Sequence, residues 1–266
     1  MRFLTIAIIF LATAVSAQSL QYKVHTVVNT ISKDTYAFPI FSSATDPVIA
    51  DSVNTDIVRD FLEGDVHKNL DSLFVNVWAT QEERMPRLTL YGFTILQNSN
   101  GVLSIGFNGE GCGAYCEEFT NHYNYDLRTG KRIFLKSLFT NAGIKQLAAT
   151  LTKVKTDRIQ KQLHRLKRDL KAQKSKKRPD SFELERDNEA IELYQDCIER
   201  GELAEEDFGE YFDFYLTKTT FTVILGRCSA HVNRAVDDLG NFEFSFNSKD
   251  WSQYFSPYGK VLFGVK

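Results

Sequence analysis

The feature that most constrains this chain is the dipeptide Asn100-Gly101, set between two alternating apolar runs. A two-residue hairpin loop of the I′ type needs positive φ at both central residues, and Asn-Gly supplies it at the lowest steric cost. The run before it is Leu88-Thr-Leu-Tyr-Gly-Phe-Thr-Ile-Leu96, and the run after it is Val102-Leu-Ser-Ile-Gly-Phe107. In the second run Leu103, Ile105 and Phe107 share one face, as the two-residue period of a strand requires. Gly109-Glu-Gly-Cys112-Gly-Ala-Tyr-Cys116 turns the chain again, and a third strand places Phe119, Tyr123, Tyr125 and Leu127 on one face. The predicted centre of the fold is therefore an antiparallel meander, closed by Asp126-Leu-Arg-Thr-Gly130-Lys and Ile133-Phe-Leu-Lys-Ser-Leu-Phe139.

Residues 1–17 read as a targeting segment. Arg2 is a short positive start, Phe3 to Val15 is apolar, and Ala14-Val-Ser-Ala17 has the small-residue spacing of a cleavage site. The apolar run is shorter than the about 18 residues that a membrane span needs. The expectation is an exported chain beginning near Gln18, periplasmic or extracellular, without a membrane span. The formal charge of −2 includes Arg2, so the mature chain carries −2 − 1 = −3. That balance gives no global reason to expect a nucleic-acid partner.

Before the meander, Leu20, Tyr22, Val24, Thr26 and Val28 alternate as a half-buried strand, and Tyr36 to Phe41 continues extended because Pro39 excludes a helix there. Asp46-Pro47 opens a helix whose apolar positions run to Leu62. Leu70 to Trp78 reads as a further segment of the same layer.

After the meander, Ile144, Leu147, Leu151, Val154, Leu163, Leu166 and Leu170 form a helical stripe. From Lys153 to Arg178 there are 12 Lys/Arg against two Asp; from Asp180 to Glu210 there are 13 Asp/Glu against two Arg. Two antiparallel helices, with a basic face beside an acidic one, account for this sign reversal. A functional alternative is a basic arm, represented by Lys167, Arg168, Lys171 and Lys174, that meets an anionic polymer. The chain then returns to strands at Tyr211–Leu216, Phe221–Leu225 and Gly240–Phe246. Ser248 to Phe255 reads as a short helix with a Ser cap, and Gly259 to Phe263 as an edge strand. The expected fold is α+β: one antiparallel sheet packed on helices near 47–62, 141–172 and 183–200, with a charged helical segment at about 141–205. Residues 18–266 are expected to form a single domain.

Four cysteines in an exported chain suggest disulfides, with three possible pairings. Cys112 and Cys116 stand at two strand ends across a tight turn, which favours a local bridge and leaves Cys197 with Cys228. A thiol metal site would need two more ligands, and a redox pair more often has two intervening residues. No His-x-x-x-His, Cys-x-x-Cys, phosphate loop or nucleophile elbow occurs, so no metal, cofactor or catalytic residue is assigned. His122 and Asp126 share a strand face but stand about 13 Å apart along it, too far for an acid–base pair. His231 near Asp237 and Asp238 is a looser pairing.

The motifs, in order, resemble an extracytoplasmic domain of bacterial cell-envelope proteins, the one that serves as sensor domain of the anti-sigma factor RsiV and as the non-catalytic domain of the peptidoglycan deacetylase PdaC. The residues that carry the resemblance are Pro39-Ile-Phe41, Val53-Asn54, Leu103-Ser-Ile105, Tyr123-Asn-Tyr-Asp126-Leu-Arg-Thr-Gly130-Lys, Ile133 to Phe139, Phe214 to Phe221 and Trp251-Ser-Gln-Tyr-Phe255. The resemblance implies an α+β fold and a lysozyme-binding or wall-associated role. Unlike those proteins, the chain is expected to carry neither a transmembrane segment nor a deacetylase domain, and its basic helical stretch is expanded. The functional expectation is a non-catalytic, monomeric envelope binding or sensing module whose partner is an envelope protein or an anionic glycan. The alternative is an envelope hydrolase or wall-modifying enzyme, which would need clustered carboxylates, His or Tyr in a concave pocket.

Overall fold

The computed structural model describes residues 19–29, 33, 35–77, 88–112, 115–201, 203–209 and 212–266. Residues 1–17, expected to be a targeting segment, and Trp78 and Tyr211 lie outside them. Among the described residues no helix is long and apolar enough to cross a membrane.

Among the described residues the strands fall into three antiparallel sheets. β1 (Gln21–Val28) pairs with β2 (Thr35–Ser42), and helix α1 (Pro47–Leu62) follows, with Pro47 in its first turn. The central sheet holds β3 (Leu88–Ser99), β4 (Val102–Cys112), β5 (Cys116–Asp126) and the short β6 (Lys131–Arg132), in that order. Asn100 and Gly101 turn between β3 and β4 with φ of 55° and 76°, the left-handed pair that the I′ loop demands. The long helices α2 (Asn141–Lys174) and α3 (Ser181–Glu199) come next. The third sheet orders β7 (Phe214–Leu216), β8 (Thr220–Leu225) and β9 (Phe242–Asn247), and helix α4 (Pro257–Phe263) closes the chain.

The core is correspondingly split in two. In the first cluster Val53, Ile57 and Leu62 of α1 pack with Phe38, Phe74, Leu103, Ile105, Phe107, Tyr123 and Tyr125. Phe107 stacks between Phe38 and Phe61, with ring centroids 5.3 and 4.7 Å away. In the second, Leu147, Leu151 and Leu163 of α2 and Tyr194 of α3 pack over Phe214, Phe221, Val223 and Phe242 of the third sheet.

The expectation of one continuous sheet is corrected here. Direct cross-strand pairing Ile105↔Tyr123 and Ser104↔Asn124 sends odd-numbered residues of β4 to the α1 core and even-numbered ones to the opposite face. That opposite face reads as solvent-facing, yet Ser104 and Asn124 are buried on it. Asn124 Nδ2 donates to Phe214 O at 2.7 Å, Ser104 Oγ donates to Asn124 Oδ1 at 2.7 Å, and Leu216 N donates to both Ser104 Oγ and Asn124 Oδ1 at 3.2 Å. The third sheet is thus joined to the central one through side chains in place of a backbone ladder.

Leu70–Ser72 is a single 3₁₀ turn, and Leu73, Phe74 and Val77 after it enter the same core as α1, as expected. Two readings near the C-terminus change. The final segment is α4, not an edge strand, and the stretch before it is the 3₁₀ turn Ser252–Tyr254. The cap explains this: Ser256 accepts from Gly259 N at 3.1 Å, Pro257 suits the first turn, and Gly264 ends the helix at φ 63°.

Candidate functional site

The cysteines pair as expected, Cys112 with Cys116 and Cys197 with Cys228. The first bridge closes the β4–β5 hairpin, where the two residues are direct cross-strand partners. Glu110 is close enough to both sulfurs to suggest a metal cluster, but sulfurs joined as a disulfide carry no thiolate charge for a cation. The second bridge ties α3 to the segment that follows β8.

Asp126-Leu-Arg-Thr-Gly130, one of the segments on which the expected resemblance rests, is a structural turn. The Asp126 carboxylate accepts from Arg128 N, Nε and Nη2 at 3.0, 2.8 and 2.7 Å. Its carbonyl accepts from Thr129 N and Gly130 N. Gly130, at φ 70°, lies where an added Cβ would meet Ser52 of α1 at 3.0 Å, and its carbonyl accepts from Ser52 Oγ. Burial works to raise the Asp126 pKa, but the hydrogen bonds from Arg128 outweigh it and hold the carboxyl below the usual range.

Asp126 is therefore committed to Arg128, and His122 finds a different acid. His122 Nδ1 lies 3.0 Å from Asp213 Oδ1, and its ring rests against Tyr215 at a centroid distance of 5.0 Å. Nothing local in sequence marks Asp213, which reaches His122 only because β7 docks on the back of β5. Asp237 is spoken for by structure: it accepts from Tyr194 Oη at 3.0 Å, from Ser229 Oγ at 2.8 Å and from Leu239 N at 3.1 Å. Its neighbour Asp238 holds Arg165 at 2.9 Å and Gln162 at 3.2 Å.

Tyr123 and Tyr125 are 4% and 0% exposed and belong to the core. Arg132 lies 4.5 Å over the Tyr123 ring and pairs with Asp60 at 2.8 Å, while Tyr125 Oη donates to Asp56 at 2.9 Å. Burial first, and these aspartates next, push both phenols far above their usual range.

The basic candidates are built differently. Thr140 caps α2 through Gly143 N, and Asp180 caps α3 through Phe182 N and Glu183 N. The intervening 175–180 segment forms the tip of a hairpin. Lys167, Lys171 and Lys174 recur at spacings of four and three, one face of α2, with Arg168 beside them, and all four are exposed. Lys176, Lys177 and Arg178 at the tip are exposed as well. Among the described residues the ion pairs of these helices are Lys153–Asp157, Arg165–Asp238, Arg168–Asp169, Arg186–Asp187 and Arg200–Asp196. None crosses from α2 to α3, so the expected pairing of a basic face with an acidic face is corrected. The polar link between the helices is Gln173 to Glu183 at 3.1 Å. What joins them is apolar packing through Leu163, Leu166, Ala190 and Tyr194. Lys167 also borders a groove of about 440 Å³ between the helices, beside His164, Gln195 and Glu199.

The sequence matches no family profile and no curated protein. In three dimensions the chain is similar to a DUF3298 family member from Bacteroides fragilis, at 14% identity over 93% of this chain and 97% of that one, with a TM-score of 0.49. It is also similar to a DUF3298 family protein from Pseudomonas aeruginosa, at 13% identity over 92% and 94% of the two chains, with a TM-score of 0.43. These structural neighbours belong to a family of unknown function.

Proposed function

We propose that this protein is an exported, non-catalytic binding or sensing module of the cell envelope, and that it engages an anionic envelope partner, a wall-associated protein with an acidic face or a glycan. The observation that carries the reading is the hairpin: Lys167, Arg168, Lys171 and Lys174 stand exposed on the α2 half without ion pairs to α3. A row of cations held at helical spacing on a rigid support raises the local concentration of an anionic partner. Two disulfides suit an oxidising compartment. The non-catalytic part of the reading is supported by the engagement of Asp126, Asp213 and Asp237 in the structural hydrogen bonds described above. Affinity capture from native envelope with the mature chain as bait tests it. Recovery of a specific wall protein or acidic glycan, released by salt, is the expected result; turnover of a wall fragment, abolished by one carboxylate substitution, would replace it with the enzymatic alternative.

A further inference from the structure

A second region, away from the hairpin, carries chemistry that the binding proposal leaves unused. Asn108 and Thr120 are direct cross-strand partners on the even-numbered face of the central sheet. With Glu118, Asn241 and two arginines, Arg227 and Arg234, they line a cleft of about 400 Å³.

Arg227 is only half-exposed and, among the described residues, has neither a hydrogen bond nor an ion pair; its Nη1 is buried without an acceptor. A buried donor left unmade is costly, and more so when it is charged. Its other terminal nitrogen, Nη2, lies beside Gly240, 3.4 Å from where a Cβ would stand, and the φ of 60° there suits glycine. Arg234 approaches from the 3₁₀ turn His231–Val236 and touches Glu117 only at 3.9 Å. The cleft therefore presents two guanidinium groups and two side-chain amides, with one carboxylate, Glu118, on its wall.

We propose that this cleft binds a compact monoanionic carboxylate, as on an acylated amino acid or the end of a short peptide. The planar fork of Arg227 matches a carboxylate through two parallel hydrogen bonds, which gives its unpartnered nitrogen an acceptor. Arg234 adds the second positive charge, and Asn108 and Asn241 offer amides to the group that carries the acid. Glu118 on the wall and Glu117, 3.9 Å from Arg234, temper the positive charge, so a dianion such as phosphate is repelled more than the single negative charge that the free fork of Arg227 pairs. The site is independent of the basic hairpin, so the failure of either proposal leaves the other standing.

The test is a ¹H–¹⁵N NMR titration of the mature chain with N-acetylglycine, acetyl-trialanine, N-acetylglycinamide and inorganic phosphate. Saturable shifts at the Asn108 and Asn241 side-chain amides are expected with both carboxylates. The tighter of the two tells whether the group arrives on a small solute or on a peptide end. The neutral amide should give none, and phosphate should bind more weakly than either. Arg227→Gln should weaken binding by about tenfold or more, with Arg227→Lys intermediate because it keeps charge and loses the fork. Arg234→Gln serves as the second variant should Arg227→Gln fail to fold. The proposal is overturned if the wild-type chain shows no saturable carboxylate binding, if the amide or phosphate binds as tightly, or if the folded variants keep wild-type affinity.

Discussion

Asp213 Oδ1 accepts from the backbone N–H of His122 at 3.2 Å and lies 3.0 Å from Nδ1 of the same residue, a double contact between positions 91 residues apart. Together with Asn124, it fastens the third sheet to the back of the central one. The His122 side chain is 7% exposed, so the contact sits largely out of water.

Asp213→Ala should therefore destabilise the fold by about 1–3 kcal/mol, the cost of leaving a half-buried donor without an acceptor. Asn124→Ala should cost at least as much, since it leaves Phe214 O without its donor and Ser104 Oγ without its acceptor, and leaves Leu216 N with Ser104 Oγ alone. Urea unfolding of the two variants checks both, and a wild-type midpoint for Asn124→Ala would show that the joint rests on packing alone.

The two disulfides should contribute unequally. Cys197–Cys228 spans a sequence separation of 31 and Cys112–Cys116 one of 4. In the chain-entropy account, replacing the first pair by Ser costs about 3–4 kcal/mol and replacing the second about 2 kcal/mol. Denaturant midpoints of the two double variants should fall in that order.

Gly259→Ala distinguishes a packed terminal helix from a solvent-exposed one. In a free helix, Ala is favoured over Gly by about 1 kcal/mol. Here an added Cβ would stand 2.1 Å from Leu138 O, so α4 must move away. We expect a loss of about 1–3 kcal/mol from overpacking, read as a lowered thermal midpoint.

Four tyrosines, Tyr123, Tyr125, Tyr194 and Tyr258, have phenols pushed far above their usual range, by burial first and by the neighbouring Asp60, Asp56, Asp237 and Asp126 respectively next. A folded-state value raised above the unfolded one gives stability that is present below about pH 10 and is lost as pH rises beyond it. Asp126 and Asp237 act at the other end. Their hydrogen bonds outweigh burial and lower both, so their contribution is present above about pH 4 and is lost on acidification. Phenolate absorbance should show these four tyrosines ionising only with alkaline unfolding; early ionisation of all eleven would contradict the assignment.

The parts legible in the sequence are those whose cause is local. Asn100-Gly101 specifies its own turn, the alternation of Leu103, Ile105 and Phe107 specifies its face, and Asp46-Pro47 marks a helix start. What escaped is set by distant partners. Ser104 and Asn124 read as solvent-facing alternation because nothing near them announces that Phe214 and Leu216 will cover them. Asp213 looks like any polar residue before a strand. Val261-Leu-Phe263 reads as a strand because β-formers dominate it, while Ser256 and Gly264 at its ends decide for helix. The sign reversal between α2 and α3 suggested paired faces, yet the helices meet through Leu163, Leu166 and Tyr194, with no ion pair between them among the described residues. The arginine cleft was invisible because Arg227, Arg234 and Asn108 come together only when the third sheet folds over the second.

The central claim is that the exposed cations of α2 meet an anionic envelope partner. The most direct test is co-sedimentation of the mature chain with isolated envelope across a salt series, for wild type and for Lys167, Arg168, Lys171 and Lys174 all replaced by Gln. Exposed charges are screened over about 10 Å at 0.1 M salt, so wild-type binding should weaken steadily as salt rises. The fourfold variant, with an unchanged unfolding midpoint, should bind weakly and lose most of that salt dependence. Binding by the folded variant that equals wild type and ignores salt would contradict the account.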